Sequence, residues 1–271
     1  MVNAIYVWGL AQVLGGRVLV RVEDHDRIRS RADFEHSLFE DLQWLGFTDP
    51  STPFLRQQDR HAVYADALER LRRVAHVYAC DCSRSSFEGE RYPGRCRGRG
   101  LSEAPGRTLR VELDDTVETA HDLLLGPLEQ SPALQCGDLA VQDRDGHWTY
   151  QFAVTVDDLL QDVTLVIRGA DLLSSTGRQV HLGRLLRAAG VGGAASWPPR
   201  YVHHPVLLDD DGKKLSKSTG AAGVRRLRDA GVTAADVLGR AAAAAGLTDG
   251  PSAIHHQNVG MLFDRREPAT P

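Results

Sequence analysis

An α/β fold built on a mostly parallel, doubly wound sheet is predicted for this 271-residue chain by three observations. Segments with the two-residue period of a strand alternate with segments of helical period. The alternation covers the first part of the chain, to residue 76, and resumes in a second part over residues 148–200. Between them, residues 77–147 are rich in arginine and glycine with short strands, and read as an insertion. Residues 201–271 form a C-terminal region.

Each element follows from its own residues. Met1 to Gln12 reads as a helix, broken by Gly15 and Gly16. Val18, Val20 and Val22 share one face of a strand over Arg17 to Glu23. Phe34, Leu38, Leu42 and Leu45 recur at helical spacing, and Gly46 is the stop. A second helix carries Tyr64, Leu68, Leu71 and Ala75 on one face. Leu109 to Leu113 is a strand of the insertion, and Val163 to Ile167 is the strand with which the alternation resumes. A helix is expected near Gln179 to Ala189; beyond Gly220 the chain is alanine-rich and helical, and it ends in a polar tail.

The totals narrow the class of protein. With 42% hydrophobic and 25% charged residues the composition is that of a soluble globular protein. No apolar stretch approaches the roughly 20 residues of a membrane span, and Met1 leads into no secretory signal. Four cysteines are too few for a disulfide scaffold, so a cytoplasmic protein is expected. A net charge of -4 argues against indiscriminate nucleic-acid binding. Arg91, Arg95, Arg97 and Arg99 nevertheless form a local basic run, as a partner surface or as a solvated loop.

Three groups of residues carry chemistry. Glu23 and Asp24 stand just past the end of a predicted strand, the rim where open α/β sheets bind ligands. There an acid can pair with a substrate ammonium, although charged strand-to-helix loops are common. Cys80, Cys82 and Cys96 give three thiols in a metal-like spacing, one ligand short of the four usual for structural zinc. Cys136 lies apart, as a small core residue. Finally, Gly212 to Ser218 sets Lys214 and Lys217 in a short hydroxyl-bearing loop. Such ammonium groups can neutralise charge that develops during attack at phosphorus; alone, the stretch would read as a surface turn.

Lys214–Ser218 resembles the second signature loop of class I aminoacyl-tRNA synthetases. The stretches Arg21–Ser30, Trp44–Phe47, Arg56–Leu71, Tyr78–Arg84, Gly137–Asp158 and Val163–Gln179 are similar, in that order, to the catalytic domain of glutamyl-tRNA synthetases. The resemblance covers nearly the whole chain and implies a Rossmann-like class I catalytic domain in two parts, 1–76 and 148–200, around a zinc-binding, acceptor-contacting insertion at 77–147. It further implies that Glu23 binds the amino group of glutamate and that Tyr150 and Arg168 line the amino-acid pocket. It makes Tyr92, four residues before Cys96, the fourth zinc ligand with Cys80, Cys82 and Cys96. ATP with Mg2+ is the implied co-substrate, with Lys217 as ATP-binding and catalytic residue and Lys214 as its companion. For Arg168 the chemistry agrees: a guanidinium meets a carboxylate with two parallel donors, which lysine does not.

Fifty-three residues lie beyond Ser218 (271 − 218), fewer than the helical anticodon-reading domain of complete glutamyl-tRNA synthetases. The resemblance is therefore to the branch that attaches glutamate to the queuosine base of tRNA(Asp), acting as a monomer. One departure stands out. The family carries a first strand and a His-x-Gly-His turn whose helix N-terminus holds the ATP phosphates. Met1 to Ala4 resembles the residues immediately after that turn, so roughly 20 residues of the pattern are missing. His181-Leu182-Gly183-Arg184 imitates the turn by coincidence, inside a helix. A misplaced start is the favoured explanation. The alternatives are a truncated, non-catalytic tRNA-binding paralogue and a nucleotidyltransferase acting on a small acid; the cysteine-bearing insertion argues against the latter.

Overall fold

The computed structural model describes residues 1–24, 32–48, 51–83, 86, 91–193, 196–207 and 223–264. The chain opens with α1 (Val2–Leu14), whose buried Val2, Ile5, Tyr6 and Gly9 lie on one face. Gly15 ends it in the left-handed conformation at φ 62°, its N–H donating to Ala11 O. Strand β1 (Val20–Val22) is shorter than the sequence predicts. It is followed by α2 (Ala32–Trp44), β2 (Phe54–Arg56) and α3 (His61–Leu71). The predicted insertion contains β3 (Val77–Cys80), β4 (Thr108–Val111), β5 (Glu118–Asp122), β6 (Gly126–Gln130), the short α4 (Pro132–Gln135) and β7 (Leu139–Gln142). Then come α5 (Tyr150–Leu160), β8 (Leu165–Gly169), α6 (Thr176–Ala188), β9 (Arg200–His204), α7 (Val224–Asp229) and α8 (Ala234–Ala244). No helix among the described residues is long and apolar enough to cross a membrane.

The expected single sheet is divided. Among the described residues the strands form three sheets, ordered β1-β2, β3-β4-β7 and β6-β5-β9-β8. The parallel pairings expected of α/β units are present: β1 with β2, β8 with β9, and β5 with β9. The insertion supplies strands to two sheets, since the antiparallel β5–β6 hairpin extends the sheet of β8 and β9. Among the described residues β1 and β8 each pair along one edge only, and between them runs a groove of about 450 Å³ lined by Val18, Leu19, Leu165 and Ile167, with Leu10 of α1 beside them. No described strand fills that groove to join the two parallel sets, which is why the sheet is divided.

One core holds the centre. Tyr64, Leu68 and Leu71 of α3, Phe152 and Val156 of α5, Leu182 and Leu186 of α6, and Val111 and Val141 of the insertion sheet pack together. Each large side chain withdrawn from water there contributes about 1.5–3 kcal/mol. A second cluster joins Ile5 of α1 to Leu45, Phe47, Val237 and Leu238. Buried polar residues tie the elements at defined points. Asp157 of α5, wholly buried, accepts from Gln57 Nε2 (2.9 Å), Arg60 Nε (2.8 Å) and Tyr64 Oη (2.9 Å). Its neighbour Asp158 pairs with Arg21 of β1 at 2.6 Å.

Candidate active site

The parallel strands carry two of the candidate site residues at their C-terminal ends, where ligands bind in folds of this kind. β1 ends at Val22 and delivers Glu23, which is exposed, and Asp24, which is buried. Gln58 N–H donates to Asp24 at 2.9 Å and so ties this turn to the residues after β2. Arg168 sits next to the last residue of β8, directly opposite His203 of β9 in the parallel register. Tyr150 is the first residue of α5; Thr149 precedes it, and its hydroxyl donates to Ala140 O at 2.8 Å rather than to the helix end.

Glu23 and Arg168 therefore both act on Tyr150, although the three come from separate stretches of sequence. The Tyr150 phenol is pushed up, first by burial and then by the negative charge of Glu23, while Arg168 and Gln179 act on it in the opposite sense. An anion and a cation thus act on one half-buried phenol, a charge pattern that suits a zwitterion. Arg168 is itself buried, and its fork is held by Gln179 Oε1 at 2.6 Å, Thr176 Oγ1 at 2.9 Å and His203 Nε2 at 3.1 Å. Of these partners none is legible as functional from the sequence. His203 and His204 end the strand after Tyr201 and Val202, and two histidines continuing an apolar stretch were the available signal.

The cysteines converge as their spacing suggests. Cys80, at the end of β3, donates to Tyr92 Oη at 3.3 Å, and Cys82 Sγ lies 3.6 Å from Cys96 Sγ. Tyr92 Oη accepts the Cys96 N–H at 2.9 Å, and the three thiols lie within 4.8 Å of one another. Tetrahedral zinc with Zn–S near 2.3 Å separates its sulfurs by about 3.8 Å. The donor set fits such an ion with little movement. Burial opposes ionisation of Cys80, but contacts with Tyr92 and Arg110 outweigh it and hold the thiol below its ordinary range. Burial, with the neighbouring thiols as a second cause, pushes Cys82 up to about 11, and burial with Cys80 also raises Tyr92. Arg110 lies over the Tyr92 ring at 3.9 Å and adds positive charge beside the cluster. Cys136 is buried apart from the cluster and donates to Pro132 O at 3.2 Å.

The basic run is largely engaged within the molecule. Arg97 forks onto Asp138 and Arg99 pairs with Asp81, while Arg91 and Arg95 donate to backbone carbonyls. His181-Leu182-Gly183-Arg184 lies inside α6. There His181 is wholly buried against Glu118, and Gly183 leaves room for the Trp197 ring. Lys214 and Lys217, together with the rest of the lysine loop, lie outside the described residues.

Comparison with known proteins matches residues 2–241 to the profile of tRNA synthetases class I (E and Q), catalytic domain. The chain is 37% identical over 289 residues to the glutamyl-Q tRNA(Asp) synthetase of Symbiobacterium thermophilum, covering 97% of this chain and 86% of that protein. It is 38% identical over 292 residues to the protein of the same name from Nitratidesulfovibrio vulgaris, covering 97% and 87%. Among solved structures, a glutamate tRNA ligase from Elizabethkingia meningosepticum in complex with its amino acid superposes with a TM-score of 0.73 at 21% identity. That match takes in 96% of this chain and 60% of the other, and it places the fold among class I synthetase catalytic domains.

Proposed function

The chain belongs to the class I (E and Q) tRNA synthetase family, and on that premise we propose that it activates glutamate with ATP and transfers it to the queuosine base of tRNA(Asp). The observation that supports the reading is that Glu23, just past the end of β1, and Arg168, near the end of β8, both act electrostatically on the Tyr150 phenol at the start of α5. Glu23 would hold the ammonium of glutamate and Arg168 a carboxylate, with Tyr150 closing the pocket between them. The names of the relatives support the acceptor.

The proposed reaction has two steps. A glutamate carboxylate oxygen attacks the α-phosphorus of ATP, the bond to pyrophosphate breaks, and glutamyl-adenylate forms. A hydroxyl of the queuosine cyclopentene ring then attacks the activated carbonyl, loses its proton, and AMP departs. Lys217, with Lys214, would stabilise negative charge moving onto the pyrophosphate; Mg2+ accompanies ATP as part of the substrate. Cys80, Cys82, Cys96 and Tyr92 would hold a structural zinc that pins the segment around Tyr92 and Cys96 to the end of β3.

The test is transfer of labelled glutamate to purified tRNAs. The reading requires labelling of queuosine-containing tRNA(Asp) that is lost when the tRNA lacks queuosine. Labelling of tRNA(Glu) with equal efficiency would instead favour ordinary glutamyl-tRNA synthesis. A non-catalytic tRNA-binding relative is the alternative reading; binding of tRNA without labelling would support it.

A further inference from the structure

His203 and Asp122 lie behind Arg168 with no access to solvent. Asp122, at the end of β5, turns one oxygen to the backbone N–H groups of Leu124 and Leu125, at 2.8 and 2.9 Å. Its other oxygen accepts the His203 backbone N–H at 2.9 Å and stands 2.7 Å from His203 Nδ1. A carboxylate only accepts, so His203 Nδ1 carries a proton and donates it. In the neutral ring Nε2 is then an acceptor, and it faces two donors, Arg168 Nε at 3.1 Å and the Thr176 hydroxyl at 3.1 Å. Thr176 in turn accepts from Arg168, so every proton in the cluster has one consistent place.

Resting on the reading of Arg168 as the carboxylate-binding residue, we propose that Asp122 and His203 are positioning residues: Asp122 selects the Nδ1–H tautomer of His203, and that tautomer holds the Arg168 fork in the plane that receives glutamate. A guanidinium has five N–H donors. Fixing its Nε edge to a rigid acceptor leaves its orientation determined by the sheet rather than by the ligand. The charged and titratable groups around His203 are Asp122 on β5, Arg168 on β8, and His204 and the stacked Tyr201 ring, 5.7 Å away, on its own strand. Burial first, and then Arg168, hold the ring below its ordinary pKa, in agreement with a neutral acceptor.

A purely structural tie between β5 and β9 would need only the bond from His203 to Asp122, whereas positioning needs the bond to Arg168. Two variants separate these. His203→Gln places an oxygen near Nε2, keeping the acceptor for Arg168 and losing the donor to Asp122; His203→Asn does the reverse. In calorimetric titration of the full chain with glutamate, His203→Asn should weaken binding about tenfold or more, and His203→Gln should stay within about threefold of wild type, with ATP binding unchanged in both. Equal losses in the two variants, or a greater loss in His203→Gln, would overturn the positioning role. Nitrogen-15 spectra of labelled protein give an independent readout, with protonated Nδ1 and bare Nε2 expected for His203. A protonated Nε2 overturns the proposal whatever glutamate does. Wild-type protein with the expected tautomer but no glutamate binding overturns the functional reading of Arg168, and the positioning role falls with it.

Discussion

Gly137 and Tyr92 approach so closely that a methyl group on Gly137 would overlap the Tyr92 carbonyl oxygen. Gly137 also holds φ at 67°, a conformation that L side chains seldom adopt. Cys136 O accepts the Tyr92 N–H at 2.8 Å in the same contact. Gly137→Ala should therefore displace Tyr92 and loosen the cysteine cluster, lowering stability by about 2–4 kcal/mol. Gly146, with φ at 82° and open space around it, is the control, and Gly146→Ala should cost only about 1–2 kcal/mol. Thermal or urea unfolding of both variants checks this, and equal losses would show that the contact with Tyr92 is of no consequence.

Metal content tests the cluster itself. Protein kept reduced and free of chelator should contain about one zinc per chain by elemental analysis. Cys96→Ser should abolish it. Cys136→Ser should leave it unchanged, because that thiol lies outside the group of three. A metal-free wild-type protein would refute the zinc assignment.

Asp157 anchors three donors at once, from Gln57, Arg60 and Tyr64. Its removal in Asp157→Ala strands them, one of them charged, at an expected loss of about 3–5 kcal/mol. Asp157→Asn should lose less. A change below about 1 kcal/mol in urea unfolding of Asp157→Ala would mean that water replaces the carboxylate without cost.

Acid should weaken the fold through its buried histidines. His181, His203 and His204 all have their pKa pushed down, in each case by burial first. Unfolded histidines protonate near pH 6.5, and the folded ones resist until a lower pH. Below about pH 6.5 the unfolded chain thus binds more protons than the folded one, and stability falls as pH falls. The slope is at most about 1.4 kcal/mol per pH unit for each histidine. His181→Gln should flatten the difference in unfolding free energy between about pH 7.5 and 5.5; an unchanged difference would contradict the account.

Local periodicity made part of the fold legible in the sequence, and long-range pairing hid the rest. The α1 helix and its glycine stop, the helices through Leu42 and Leu68, and a strand overlapping the one predicted over Val163 to Ile167 depend on local periodicity, and each is present. The three clustered cysteines lie within a short span, so their meeting was readable from spacing. Asp122 escaped notice because its partner His203 is 81 residues away, and only the parallel pairing of β5 and β9 joins them. The division of the sheet was hidden for a similar reason, since which strand edges meet depends on long-range pairing rather than on period. The ion pairs that engage Arg97 and Arg99 likewise depend on neighbours brought in by the insertion's own turns.

Exchange of labelled pyrophosphate into ATP, driven by one amino acid at a time, tests the central claim most directly. In a version extended ahead of Met1 by the family's first strand and His-x-Gly-His turn, the proposed pocket of Glu23, Tyr150 and Arg168 predicts exchange with glutamate far above that with glutamine or aspartate. Lys217→Ala should lower its rate far more than it weakens glutamate binding, because a transition-state contact is lost rather than a ground-state one. Equal exchange with glutamine, or no exchange with any amino acid while tRNA still binds, would contradict it.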